Sequence, residues 1–115
     1  MDSILDSVKK KLGINPEYEY FDPDIIMDIN TAFSILRQLG VGPKTGFRIE
    51  GSGNVWSDFI SEDSPLYEAV KTYICQKVRM TFDPPTSSVM AEAVNRSISE
   101  LEWRLNVTAE FEEGG

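Results

Sequence analysis

The chain has 115 residues and a mass of 12.9 kDa, which fits one domain with a single modest core. Hydrophobic residues make up 41% of it and no apolar run approaches the ~20 residues of a membrane span, which argues against global disorder and a spanning helix. Nineteen acidic against eleven basic residues give a net charge of −8, and since the basic residues are scattered along the sequence, direct, tight binding to DNA is disfavoured.

The compartment can be inferred from two features. The sole cysteine, Cys75, excludes an internal disulfide and fits a reducing cytoplasm. The N-terminal stretch MDSILDSVKKKLG has its lysines after its apolar residues, which is the wrong order for a signal peptide. We therefore expect the protein to be cytoplasmic where it is made.

The first predicted element is a helix over residues 3–12. Asp2 or Ser3 can cap its start, and Gly13 can close its end in a left-handed turn. Residues 9–11 are three lysines, which we interpret as complementing the negative end of the helix dipole. The apolar stripe of this helix consists of Ile4, Leu5, Val8 and Leu12.

The second predicted helix covers residues 23–39. Asp22 is a good N-cap, Pro23 suits the first helical position, and Phe21 can act as a hydrophobic staple. Gly40 ends the pattern. The apolar face comprises Ile25, Ile26, Ile29, Phe33, Leu36 and Leu39.

Residues 41–64 predict a short β-hairpin or an extended loop. Residues 47–49 alternate apolar and polar in the manner of a strand, and the glycine-rich run at 51–54 indicates a flexible turn. That run lacks the lysine and the hydroxyl residue of a phosphate-binding loop. Trp56 and Phe59 are expected to anchor the end of the loop to the core. Residues 44–60 are expected to be the least rigid internal segment of the chain.

A third helix over residues 65–82 is predicted to end at a proline corner. Asp83 ends the helix because a residue before proline is pushed out of helical geometry, and Pro84–Pro85 forces an extended step. One of the residues 86–88 then caps the next helix, so we expect two neighbouring helices packed antiparallel or at a steep angle. The apolar face of the third helix comprises Leu66, Val70, Tyr73, Ile74, Met80 and Thr81.

The fourth helix is predicted over residues 87–105. At 100° per residue Trp103 lies about 180° from Val94, so the indole is expected on the outer face. Residues 107–115 show no cap or period and are expected to form a flexible acidic tail containing Phe111. The apolar seam of the helix comprises Met90, Val94, Ile98, Leu101 and Leu105.

Together these elements predict a mainly α fold, a small bundle of about four helices with the hairpin or loop in its middle. Residues 1–106 form one helical domain in this interpretation. The chemistry of the chain favours contact with other proteins over catalysis. There is no histidine, so the usual general base and the commonest metal ligand are missing, and Cys75 has no evident activating base. We predict no catalytic residue, no metal site and no cofactor.

We predict three groups of contact residues. They are the tryptophan on the polar face of the fourth helix with its neighbours on that face, the exposed glycine-rich turn, and the phenylalanine of the tail. A tryptophan on the polar face of a helix is unusual and indicates contact with another surface. The candidate residues are Trp103, Arg96, Ser99, Gly51, Gly53, Asn54 and Phe111.

Several stretches of the chain resemble the head–tail connector proteins of tailed phages and prophages of Gram-positive bacteria, also called adaptor, head-completion or DNA-packaging proteins. FDPP at 82–85 with LEWRLNV at 101–107 is the most specific part. The similar stretches are FDPDIIMDIN (21–30), LGVGP (39–43), VWSDFI (55–60), LYEAVKTYICQKVRMTFDPPTSS (66–88) and ISELEWRLNV (98–107).

This resemblance implies a helical virion protein at the head–tail junction, assembled in the host cytoplasm. Such a protein forms a ring, typically of twelve subunits, below the portal protein, and is often a monomer in solution. The ring extends the DNA channel and offers a docking platform to the tail or to a stopper protein. DNA would pass through without tight or specific binding, which an acidic surface fits, and no membrane is involved.

Two other classes of function stay open at this point. The short corner between the third and fourth helices superficially resembles the turn of a helix–turn–helix, so a small DNA-binding regulator is the alternative. The outer face of the following helix argues against a DNA-binding regulator, since its residues do not form a set of base-reading or phosphate-binding groups. These residues are Glu92, Arg96, Glu100 and Trp103. An enzyme of carboxylate chemistry would need a deep pocket lined by acids.

Overall fold

The computed structural model describes the backbone of residues 3–114 and the side chains of residues 3–110. The mainly α prediction is confirmed, with five helices. They are α1 (Ile4–Lys11), α2 (Asp22–Gln38), α3 (Trp56–Phe59), α4 (Tyr67–Phe82) and α5 (Ser88–Gly114).

Of the two forms predicted for residues 41–64, the β-hairpin is not supported, whereas the loop describes residues 41–55. The described part of the chain holds no β-strand, only an isolated bridge between Ser3 and Val55. The backbone of Ile49 forms hydrogen bonds with a side chain and not with a neighbouring strand. Its N–H donates to Asn30 Oδ1 at 2.8 Å, and its carbonyl accepts from Asn30 Nδ2 at 3.0 Å. Beyond the turn, the chain forms the single helical turn α3, whose start is closed by Val55 N–H donating to the Asp58 carboxylate at 3.0 Å.

The core lies between α2 and α4, with α1 packed across both and α5 along α4. Apolar residues recur every three or four positions on α2 and α4, so each helix buries one continuous face. On α4 the buried face ends at Val78, while Met80, predicted on this face, is half-buried and Thr81, also predicted there, is exposed. The buried residues of the two central helices are Ile25, Ile29, Ala32, Phe33, Leu36, Val70, Tyr73, Ile74 and Val78.

The loop after α2 is attached to this core by aromatic rings. Phe33 of α2 packs against the rings of Phe47 and Phe59 with centroid distances of 5.0 and 4.5 Å, and Trp56 lies 6.5 Å away. Trp56 and Phe59 are both buried, which confirms their predicted anchoring role. Gly42 approaches this cluster with φ +92°, and a Cβ added there would collide with the Phe59 ring. Only glycine fits that position.

The proline corner joins α4 and α5 as predicted. Asp83 leaves helical geometry with φ −148° and ψ 70°, and Ser87 Oγ accepts from Met90 N–H at 3.4 Å. Two side-chain contacts show that α4 and α5 run antiparallel: Tyr73 donates to Glu102 at 2.7 Å, and Ser97 donates to Gln76 at 2.9 Å. Residue numbers thus rise along one helix while they fall along the other.

The last helix continues beyond the predicted end at residue 105. Ala109 extends the buried seam one turn past Leu105, and it lies against Gly40 at the end of α2. Asn106 Nδ2 donates to the Leu39 carbonyl at 3.0 Å, which pairs one of the free carbonyls at that helix end. Residues 107–114 are therefore helical in backbone, whereas the sequence predicted a tail without regular structure. Their flexibility stays a prediction.

Lys9 has a different role from the predicted one. It is fully buried, and its Nζ donates to the carbonyls of Pro16 and Tyr18 at 2.8 and 2.7 Å and contacts Asp22 Oδ1 at 2.7 Å. The ammonium is thereby held by two hydrogen bonds and one ion pair. Asp22 lies in the first turn of α2, so its carboxylate binds this ammonium instead of capping the helix, a correction to its predicted role.

Candidate contact surfaces

The outer face of α5 carries the most prominent exposed aromatic of the molecule's helices. Trp103 is 67% exposed, as its position opposite the apolar seam predicts. Arg96 and Ser99 precede it by seven and four residues, and Val107 follows by four, so all four fall on one side of the helix and all are exposed. We call these residues the α5 stripe. No described side chain covers the indole.

The α5 stripe is chemically suited to contact with a protein surface. A broad apolar ring, an aliphatic side chain and a guanidinium that can pair with a carboxylate are typical constituents of protein interfaces. The neighbouring ion pair between Arg104 and Glu100, 2.8 Å apart, is exposed at both ends and lies on the border of the stripe. Its charges contribute little stability to the isolated chain.

The turn at residues 51–54 is a separate surface. A Cβ added at Gly51 or Gly53 would meet no atom within 4 Å and neither residue has a positive φ, so neither glycine is required by the fold. Asn54 is tied down through its backbone, because its carbonyl accepts from Ile4 N–H at 2.9 Å. The structure thus brings Trp103, Arg96 and Ser99 together on α5 and leaves the turn as a surface of its own. The side chain of Phe111 lies outside the described residues.

A third surface was not predicted from the sequence. An open groove of about 770 Å3 lies between α1, α4 and the first turns of α5. The basic residues that look scattered in the sequence meet here, since one face of α4 and the last turn of α1 border the same space. We call it the basic groove; its charged and apolar lining includes Lys10, Lys11, Lys71, Arg79, Met90 and Val94.

The sequence contains the basic residues of the groove, but only the fold shows that they lie together. Lys71 and Arg79 are eight residues apart and therefore share a face of α4, and Glu68 is the sole acidic residue that lines the groove. Met90 is 53% exposed, although it was predicted to belong to the core seam, because the first turns of α5 border the groove and are not covered by another helix.

The titratable groups do not assemble a reactive site. Burial raises the pKa of the Cys75 thiol, and the nearby Lys11 and Lys71 oppose that effect only in part, so the thiol is held protonated and unreactive. Burial also raises the pKa of Tyr73, whose hydroxyl donates to Glu102. Burial and the charge of Asp24 raise the pKa of Asp28, since the two carboxylates lie one turn apart on α2.

Within residues 3–110, no three cysteine or acidic side chains lie close enough together to hold a metal ion. Among the described helices, none combines the length and the apolar character required to cross a bilayer.

The described residues form a small helical body with exposed apolar and charged surfaces. The family model of the phage connector proteins matches residues 4–112, which is nearly the whole chain, and the chain belongs to that family. The family assigns it a structural role as a component of the phage particle, in contact with other head or tail proteins, and the family is generally non-enzymatic. Comparison with curated proteins and with solved structures found no match.

Proposed function

We propose that this protein forms a ring below the portal at the head–tail junction, extends the DNA channel and offers a docking platform for the tail or for a stopper protein. The observation that carries the proposal is the match to the phage connector family over residues 4–112. The ring is a dodecamer in the virion, and the chain is a monomer in the host cytoplasm until it meets the portal.

The α5 stripe supports this proposal, because a monomer gains nothing from exposing Trp103. A large aromatic at the centre of an interface is the type of residue that contributes most to association. We therefore assign the α5 stripe to a contact with the portal or with an adjacent subunit. The turn at 51–54, whose glycines the fold does not require, is the second contact candidate.

The charge of the chain supports a passive role toward DNA. With a net charge of −8, most of the surface repels a duplex, so DNA can move through a ring without being held. No observation on the outer face of α5 favours a DNA-reading helix. Glu92 and Glu100 are exposed there, and both would repel phosphates.

The test combines the protein with the portal protein of the same phage and examines the mixture by native mass spectrometry and electron microscopy. The wild-type chain is expected to form a ring on the portal. Trp103→Ala is expected to leave the melting temperature of the monomer nearly unchanged and to weaken ring formation at least tenfold, since truncation of an anchoring aromatic costs about 2 kcal/mol or more of association energy. Tyr20→Ala, at an aromatic that is 76% exposed elsewhere, is the matched control and should assemble normally.

Two results would contradict the proposal at different levels. A wild-type chain that never associates with the portal would remove the connector ring itself. A Trp103→Ala variant that loses several degrees of melting temperature but assembles normally would show that the indole serves the subunit's own stability, and the α5 stripe would then not be the contact.

A further inference from the structure

We propose that the basic groove binds the acidic C-terminal end of α5, residues 110–113, from a second copy of this chain. The sequence of this end is Glu-Phe-Glu-Glu. The inference deepens the connector function and rests on it, because the contact would link neighbouring subunits of the ring. It names a site and an occupant that the family membership does not specify.

The groove concentrates positive charge in a chain that is otherwise acidic. Lys10 and Lys11 from α1 face Lys71 and Arg79 from α4, against the single carboxylate of Glu68. Among the described side chains, the ion pairs within 4.0 Å involve none of these four cations. Cations gathered in a concave surface repel one another, so an acidic occupant would relieve an unfavourable interaction that the monomer leaves in place.

The end of α5 has an excess of negative charge, opposite in sign to the charge of the groove. A helix C-terminus carries a partial negative charge, so acidic residues there are unfavourable and basic ones are preferred. The last turn of α5 nevertheless contains no basic residue, and Glu110, Glu112 and Glu113 lie in or beside it. These glutamates do not help the helix to which they belong. Cations supplied by another chain would pair with them and with the helix dipole together.

A second acidic and aromatic segment exists at residues 17–21, and it is the weaker candidate for the groove. Its rings are already stacked on one another and on the body, with Tyr20 5.0 Å from Phe21 and Phe21 5.4 Å from Phe82. Its backbone is also held, because the Tyr18 carbonyl accepts from Lys9. The segment is therefore a fixed part of the surface and cannot enter a groove without losing these contacts.

The geometry requires the occupant to come from another copy. Val94 of the same helix lines the groove, and residue 112 lies about 27 Å farther along α5 at 1.5 Å per residue. A continuous helix cannot return to its own starting point. The groove and the helix end are different patches, so their contact is head-to-tail, and a head-to-tail contact builds a ring when the rotation between subunits closes.

The experiment uses charge reversal in the full-length chain. The groove variant carries Lys10→Glu and Arg79→Glu, and the end variant carries Glu112→Lys and Glu113→Lys. In each variant the groove and the helix end have the same sign of charge, so neither should pair with itself. When the two variants are mixed, each groove meets an end of the opposite sign.

Two further variants separate this contact from general effects of charge. Lys44→Glu with Arg48→Glu makes the same change of net charge at exposed basic residues outside the groove. Glu17→Lys with Glu19→Lys makes the same change as the end variant on the competing acidic segment. Thermal melting by circular dichroism checks that every variant is folded.

Association is measured by sedimentation at about 50 mM salt and by subunit occupancy on the portal in native mass spectrometry. We expect the groove variant alone and the end variant alone to lose at least tenfold in assembly, and their mixture to recover it. Both control variants should behave as the wild type. Raising the salt to about 0.5 M should weaken the mixed assembly, since the Debye length falls to a few ångströms.

The inference is overturned if the groove variant or the end variant assembles as the wild type does, or if their mixture does not recover. It is also overturned if the variant at residues 17 and 19 behaves as the end variant does, or if wild-type protein retards duplex DNA through the groove cations. The two proposals fail separately. Normal rings from all variants would rule out this contact and leave the connector function in place. Pairing between the groove variant and the end variant, without any complex with the portal, would support this contact and contradict the connector function.

Discussion

Replacing Lys9 by methionine tests the buried ammonium that links α1, the following connection and α2. Methionine keeps the length and apolar stem of lysine but leaves the carbonyls of Pro16 and Tyr18 without their donor and the Asp22 carboxylate without its ion-pair partner. Removing one partner of a buried ion pair costs about 3–5 kcal/mol, because the other charge stays behind without compensation. The Asp22 side chain is 21% exposed and can recover some hydration, which places the expected loss near the lower limit, at about 3 kcal/mol.

A loss of that size is large for a chain of 115 residues. With an entropy of unfolding of about 2.1 cal/mol/K per residue, 3 kcal/mol corresponds to a fall of about 12 °C in melting temperature. Urea unfolding followed by far-ultraviolet circular dichroism measures the free energy directly, and the helical content of the fold gives a strong signal.

The control for this variant is the next residue of the same helix. Lys10 is exposed, so Lys10→Met should change stability by no more than about 0.5 kcal/mol. Adding Asp22→Asn to Lys9→Met should cost less than the sum of the two single changes, by about 1 kcal/mol or more, because both remove the same interaction. A Lys9→Met variant within 1 kcal/mol of the wild type would show that the ammonium is solvated and would refute the reasoning.

The remaining predictions concern the glycines of the loop, the proline corner and one carboxylate of α2. Gly42→Ala should cost about 3 kcal/mol in urea unfolding, since a Cβ there meets the Phe59 ring at a positive φ, while Gly53→Ala should be neutral or slightly stabilising. Replacing Pro84–Pro85 by two alanines should lower the melting temperature by several degrees, about 1 kcal/mol, through the unfolded chain; full stability with failed assembly would make the corner a contact site. Asp28→Asn should stabilise the protein by about 0.2–0.5 kcal/mol at pH 7. Because its folded-state pKa is raised above 3.8, this gain should vanish below pH 3.8, and an unchanged gain there would contradict the assigned cause.

The helices could be predicted from the sequence because their signals are local. Ser3, Gly13, Pro23 and the proline corner fix the starts and stops, and spacing of three and four residues fixes which faces are buried. The exposure of Trp103 follows from the same spacing. These features depend on the backbone geometry of one element and need no knowledge of its neighbours.

Features that depend on how separate segments meet could not be predicted. Lys9 and Lys11 flank the apolar stripe of α1 on opposite sides, and their residue type is the same. Lys9 is buried because the connection after α1 passes over its side of the helix, whereas Lys11 borders the basic groove. The alternation of residues 47–49 left a hairpin and an extended loop as alternatives, because the partner of Ile49, the Asn30 side chain, lies nineteen residues away on α2.

The distribution of charge connects the fold to assembly. A net charge of −8 makes copies of the chain repel one another once they approach to within about a Debye length, and this repulsion would oppose growth of the proposed head-to-tail contact into filaments. In the proposed contact the basic groove and the acidic end of α5 would reverse that sign locally, so two copies would attract only when they are already aligned. A portal that holds subunits side by side supplies this alignment. Assembly would then depend on the portal even though the contact lies between copies of the same chain.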